Sequence, residues 1–133
     1  MKNNFPEWVK KAENDWKVVK ILVASKDPPP DGITFHSQQT AEKYLKAFLV
    51  SKNIPPEKTH NLLKLLNDVE QFEPGANVLK DSAGLLNRFS VEPRYPGDFA
   101  DPPEEEVKEA VESARRIRYF FRKVLRVKKK KKK

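Results

Sequence analysis

The chain contains no cysteine, only two histidines, one methionine and four glycines. Without cysteine, a disulfide framework, a thiolate metal site and a thiol nucleophile are all excluded. Two histidines, 24 positions apart among scattered carboxylates, do not make the clustered ligand set that metal catalysis needs, so no metal site is expected. There is no phosphate-cradling glycine loop, no HExxH pair and no nucleophile elbow. No apolar run approaches the roughly 18 residues of a membrane helix, and positions 1–10 lack the hydrophobic stretch of a signal peptide. A reducing cytoplasm is the expected location, with no membrane partner. Low methionine beside abundant Lys and Glu also fits a thermophilic source.

What is present is charge and helical periodicity. Charged residues make up 35% of the 133 positions and hydrophobic residues 38%, so the apolar share must be concentrated on a few faces. The length suits one domain. The formal charge of +8 comes largely from six consecutive lysines, Lys128 to Lys133; without them 21 Lys and Arg face 19 Asp and Glu, a net +2. The basic character therefore reads as a solvated, disordered tail on a nearly neutral body spanning 1–127, with weak non-specific contact to RNA as the other reading.

Apolar residues at intervals of three and four place a first helix from Pro6 to about Ser25, through Phe5, Val9, Ala12, Trp16, Val19 and Val23. Asp27, Pro28, Pro29, Pro30, Asp31 and Gly32 cannot continue it. A second helix is expected from a Thr34 N-cap to about Lys52, with Phe35, Ala41, Leu45, Phe48 and Leu49 inward. A third follows an N-cap at 59–61, with Leu62, Leu65, Leu66, Val69 and Phe72 on one side. A fourth covers about Ala76 to Phe89 through Leu79, Ala83, Leu86 and Phe89, weakened by Gly84. The segment 90–102, with Pro93, Pro96, Gly97 and Pro102, is an irregular loop long enough to be functional. Pro103 and Glu104 to Glu106 open a fifth helix, whose stripe runs through Val107, Ala110, Ala114, Ile117, Phe121 and Leu125. The fold class is all-α: an antiparallel up-and-down bundle of four to five helices.

The most informative stretch is Phe35 to Phe48. On a helix His36, Gln39 and Lys43 fall at i, i+3 and i+7 and share a polar face between apolar neighbours. Two readings stand: a satisfied polar layer inside the bundle, or a surface for a nucleotide or a second subunit.

The run FHSQQTAEKYLKAFL, with Trp8, Ala12, Glu13 and Asp15 before it, then Lys58 to Leu62, Leu86 Asn87 Arg88, and Arg94 Tyr95 Pro96 in order, resembles the HEPN (higher eukaryote and prokaryote nucleotide-binding) family up to about Val127. The resemblance implies a five-helix bundle, frequently homodimeric, often paired with a minimal nucleotidyltransferase in prokaryotes. Many relatives are metal-independent ribonucleases of toxin–antitoxin or defence systems, marked by an arginine closely followed by a histidine. Here Arg88 is the first arginine, both histidines precede it, and the position six residues on holds Arg94.

An arginine stays protonated and cannot act as a general base. The expectation is therefore a non-catalytic module that binds a nucleotide such as ATP, or a nucleotidyltransferase partner. It needs no cofactor and has no catalytic residue. Its candidate contacts are His36, Gln39, Lys43, Arg88, Arg94 and Tyr95. The other readings are a ribonuclease with a rearranged site using His36 or His60, and a purely structural dimerisation module. Arg88 and Arg94 could equally pin the proline-rich loop through Glu92 or Asp98. A homodimer is expected because Val18, Leu22 and Tyr44 lie outside the main apolar stripes.

Overall fold

The computed structural model describes residues 4–90 and 101–127. Among them are five α-helices and no strand, arranged as an up-and-down bundle. They are α1 (Phe5–Val23), α2 (Pro30–Ser51), α3 (Leu62–Glu70), α4 (Lys80–Leu86) and α5 (Glu104–Val124). Short 3-10 turns at Pro74–Leu79 and Asn87–Phe89 flank α4. Positions 91–100 of the expected loop, with Arg94 and Tyr95, and the lysines at 128–133 lie outside the described residues.

Helix α2 is the central strut. It packs on α1, α3, α4 and α5, and most of its residues from Ile33 to Val50 are buried, including the polar Thr34, Ser37, Gln38, Gln39, Thr40, Glu42 and Lys46. A helix enclosed on so many sides must satisfy its polar groups through side-chain partners, because water cannot reach them. The apolar contribution comes from Leu45, Ala47 and Phe48, with the Phe48 ring 5.6 Å from that of Phe121 on α5. Burying side chains the size of Leu or Phe stabilises the fold by about 1.5–3 kcal/mol each.

The start of α2 differs from the expected Thr34. Pro30 occupies the first helical position, where its fixed φ suits the helix and its missing N–H leaves nothing unpaired. Thr34 instead turns its hydroxyl back to the carbonyls of Pro30 and Asp31, at 3.3 and 3.2 Å. Gly32 allows this early start: a Cβ there would stand 3.2 Å from Leu22 Cδ1. Leu22 thus covers the first turn of α2, while Val23, expected inward, is 53% exposed.

Helix α3 begins as expected, with the Asn61 side chain accepting from the amides of Leu63 and Lys64. Phe72 lies beyond its end, in the turn where its amide bonds to Val69, and is 46% exposed rather than part of the stripe. The fourth helix is a shorter α segment between two 3-10 turns, yet Leu79, Ala83, Leu86 and Phe89 are all buried. Tyr44 is fully buried, so it does not form the outward apolar surface on which the expected dimer partly rested. On α5, Ala110, Ala114, Ile117 and Phe121 face the core, with Val107 and Leu125 at its margin.

Candidate functional site

Three carboxylates organise the polar chemistry around α2, and they differ in how completely their partners are enclosed. The first is Asp15. Its side chain is 10% exposed and lies between α1 and α2, where His36 Nδ1 reaches Oδ1 at 2.7 Å and Lys43 Nζ reaches Oδ2 at 2.5 Å. A carboxylate can only accept, so the imidazole donates from Nδ1. His36 and Lys43 are seven residues apart and therefore meet the same side of α1, and they remain 30% and 25% exposed. Phe35 closes one side of the imidazole, edge-on at 5.0 Å between ring centroids.

Gln39, expected on the same face, belongs to a different array. Its amide donates to Gln38 at 2.7 Å, and Gln38 in turn donates to Glu42 at 3.3 Å and to the His60 carbonyl at 3.4 Å. Glu42 is the second carboxylate, only 5% exposed, and it holds Lys46 at 3.0 Å and His60 Nδ1 at 2.8 Å. Lys46 is 7% exposed and its ammonium stands 5.9 Å from the Trp8 ring, whereas the His60 side chain is 48% exposed. The result is an exposed imidazole oriented by a buried carboxylate. Next to it, the Asn87 side chain accepts from the Leu62 amide at 2.8 Å and donates to Asn61 at 3.1 Å, which brings the end of α4 to His60.

Arg88 follows Asn87 and is bonded to Glu106 in the first turn of α5. The loop residues Glu92 and Asp98, considered as its partners, lie outside the described residues, as do the candidate contacts Arg94 and Tyr95. Of the four candidates that are described, the fold joins His36 to Lys43 and places Gln39 and Arg88 in other surroundings.

The third carboxylate, Glu13, ties three helices. It accepts from the Tyr44 hydroxyl, from Arg118 Nε and Nη2 at 2.7 and 2.9 Å, and it pairs with Arg122 at 3.5 Å. Burial pushes the Glu13 carboxyl up, but the hydrogen bonds from Arg118 and Tyr44 and the guanidinium charges outweigh it and hold the group below its ordinary value. Burial, then the bond to Glu13, pushes the Tyr44 phenol well above its usual range. Hydrogen bonding to Glu13 likewise raises Arg118 further.

In comparison with known proteins, the model of the HEPN domain matches residues 5–124, which take in all five helices. The chain belongs to the HEPN domain family. Two solved structures share the HEPN fold seen here. TT1696 from Thermus thermophilus superposes with a TM-score of 0.78 at 22% identity, over 92% of this chain and 98% of that one. ST0689, described as an archaeal HEPN homologue, superposes with a TM-score of 0.71 at 25% identity, over 94% of this chain and 99% of that one. No curated protein matches the chain. Among the described residues, no helix is long and apolar enough to cross a membrane.

Sequence reasoning did not single out Glu42 and Lys46 within the run that contains them. Their signal was the i, i+4 spacing inside a run with apolar residues on both sides, which forces an ion pair to be buried with the helix. It also left His60 without a partner, because the segment between it and Glu42, 18 positions earlier, contains the helix end and turn that bring them together.

Proposed function

We propose that this HEPN chain is a non-catalytic nucleotide-binding module whose phosphate contacts are His36 and Lys43. The observation that carries this reading is their common anchor. Asp15 uses one donor of each, orients both side chains, and leaves each a quarter to a third exposed. The Lys43 ammonium keeps two further N–H donors for an anion. Pre-organised donors lose little conformational freedom when they bind, which is the main cost for long side chains. The sequence supports the absence of ribonuclease chemistry, since no histidine follows Arg88. A minimal nucleotidyltransferase as co-encoded partner, and a homodimer as the working form, belong to the same reading.

Isothermal titration with ATP tests it, on the parent and on Lys43→Ala, His36→Ala and Arg88→Ala. Each charge-assisted contact to phosphate contributes about 1.5–3 kcal/mol, so Lys43→Ala should weaken binding roughly tenfold or more. Arg88→Ala should change it less, because that guanidinium is engaged by Glu106. Affinity unchanged in both α2 variants would remove the site.

A second reading rests on a different observation, the His60 imidazole held by buried Glu42. A carboxylate that fixes one ring nitrogen and leaves the ring exposed is the arrangement of a general base. RNA cleavage by the parent that disappears in His60→Ala and survives in His36→Ala would put this reading first.

A further inference from the structure

The near-neutral body is not evenly charged. Helix α1 and positions 113–127 together carry ten Lys and Arg against three acidic residues, while the remainder ahead of the lysine tail carries 11 basic against 16 acidic. Two of those three acids are already neutralised, Glu13 by Arg118 and Arg122, and Asp15 by Lys43. The tail still carries most of the net charge, while the folded body concentrates cations on these two segments.

The two segments lie side by side. Glu13 bonds Arg118 and Arg122, and the Trp16 ring sits 5.3 and 5.6 Å from the guanidiniums of Arg115 and Arg118, so α1 and α5 run antiparallel. That register brings Lys10 level with Arg122 and Lys17 level with Arg115. Lys10, Lys17 and Lys20 fall on the same side of α1 as Glu13 and are exposed. On α5, Arg115, Arg116, Tyr119 and Lys123 are exposed in turn, followed by Arg126 in the turn after the helix. Among the described residues Arg116, Lys123 and Arg126 form no ion pair, and Tyr119 is 66% exposed with Lys123 Nζ 5.7 Å from its ring.

We infer that this α1–α5 face binds the backbone of a single-stranded nucleic acid, separately from the His36–Lys43 site. Three features select that partner. Four of the five cations on the second half of α5 are arginines, and Arg126 adds a fifth just beyond its end; their planar forks match phosphate oxygens two at a time. Tyr119 stands among them as a ring on which an unpaired base can stack, as the bases of a duplex cannot. The span from Arg115 to Lys123 covers about 12 Å of helix, and Arg126 continues it in the turn beyond, enough for a run of phosphates rather than a single one. A membrane surface would require a band of apolar side chains beside the cations, and here the large exposed apolar groups are Tyr119 among the arginines and Ile21 and Val23 at the far end of α1.

The test is fluorescence anisotropy with a labelled oligouridine of about 15 nucleotides, using the full chain over a series of salt concentrations. The variants are Arg116→Ala/Lys123→Ala/Arg126→Ala, Tyr119→Ala, and the chain with all six terminal lysines replaced by glutamine. Circular dichroism checks that each is folded, and Lys123→Glu alone carries the comparison should the triple variant fail. The triple variant should bind at least about tenfold more weakly at low salt, with its log–log salt slope shallower by about 2, or about 0.7 per lost contact. Tyr119→Ala should lose about fivefold or more without a change in slope. The tail variant should keep these differences, and His36→Ala should bind the strand like the parent. Parent-like binding by the triple variant overturns the proposal, as does complete loss on replacing the tail alone. Equal binding of a duplex with no effect of Tyr119→Ala overturns the single-strand assignment. Equal competition by polyglutamate replaces the nucleic acid with an acidic protein.

Discussion

Glu13 and Asp15 stand two residues apart on α1 and serve opposite ends. Two residues on a helix turn the side chain by more than half a circle, so Glu13 reaches α5 and Asp15 reaches His36 and Lys43 on α2. Glu13 is saturated by a phenol and two guanidiniums from two other helices, which makes it a clasp. Asp15 holds only an imidazole and an ammonium, both on α2 and both partly open to solvent. A carboxylate closed by forks from several elements fixes the fold, whereas one that orients movable donors at the surface prepares them for an anion. Glu42 is the most enclosed of the three, with the buried ammonium of Lys46 and the His60 imidazole as its partners.

The largest effect should follow from breaking that sealed pair. Glu42→Ala leaves Lys46 charged and only 7% exposed, with the Trp8 ring as its remaining neighbour. Removing one member of a buried ion pair costs about 3–5 kcal/mol, and urea denaturation should read a loss of that order. A loss below about 1 kcal/mol would mean that Lys46 escapes to water and that the pair is not sealed.

Next in size is the contrast within α1 itself. Glu13→Gln should cost about 1–3 kcal/mol, because Arg118, Arg122 and Tyr44 lose a charged acceptor in a half-buried site. Asp15→Asn should cost about 1 kcal/mol or less, since His36 and Lys43 can turn to water. The clasp also sets a pH signature. The Glu13 pKa is depressed on folding, so its contribution is present above the ordinary carboxylate value and fades as pH falls through the folded one. The Tyr44 pKa is raised, so its contribution is complete below the usual phenol value of 10.0 and is lost as pH rises beyond it. Thermal melts should therefore decline in acid and again above about pH 10, and Tyr44→Phe should flatten the alkaline decline. An alkaline decline unchanged in that variant would detach it from the clasp.

The contrast also shows what could be read in advance. The five helices and the inward stripes of α1, α3, α4 and α5 followed from apolar spacing, because each of these helices buries one face and exposes the other. Helix α2 escaped that logic. It is covered on several sides, so its polar residues carry no periodic signature of exposure, and His36, Gln39 and Lys43 were grouped by spacing alone. His36 and Lys43 did converge. Gln39 did not, since its neighbour Gln38 offers a carbonyl at 2.7 Å. The partners Asp15, Glu13 and His60 come from elsewhere in the chain, and only the antiparallel packing of α1 and the turn into α3 determine which carboxylate meets which cation.

The smallest effect concerns a group between the two sides. Ser37 follows His36 on α2, is fully buried, and its hydroxyl forms no hydrogen bond among the described residues. Its desolvation is thus uncompensated, unlike that of Glu13, Asp15 and Glu42, each of which meets at least two donors. Removing a buried hydroxyl that makes no bond should recover part of the roughly 1–3 kcal/mol that an unsatisfied group costs. The loss of a single small atom leaves a void below the size that matters for packing. Ser37→Ala should therefore leave stability unchanged or raise it by up to about 1 kcal/mol, measured by the urea midpoint. It should also leave ATP titration unaltered if Asp15 alone orients His36 and Lys43. A destabilisation of the same size would show that the hydroxyl is bonded in solution and helps to hold the start of the site.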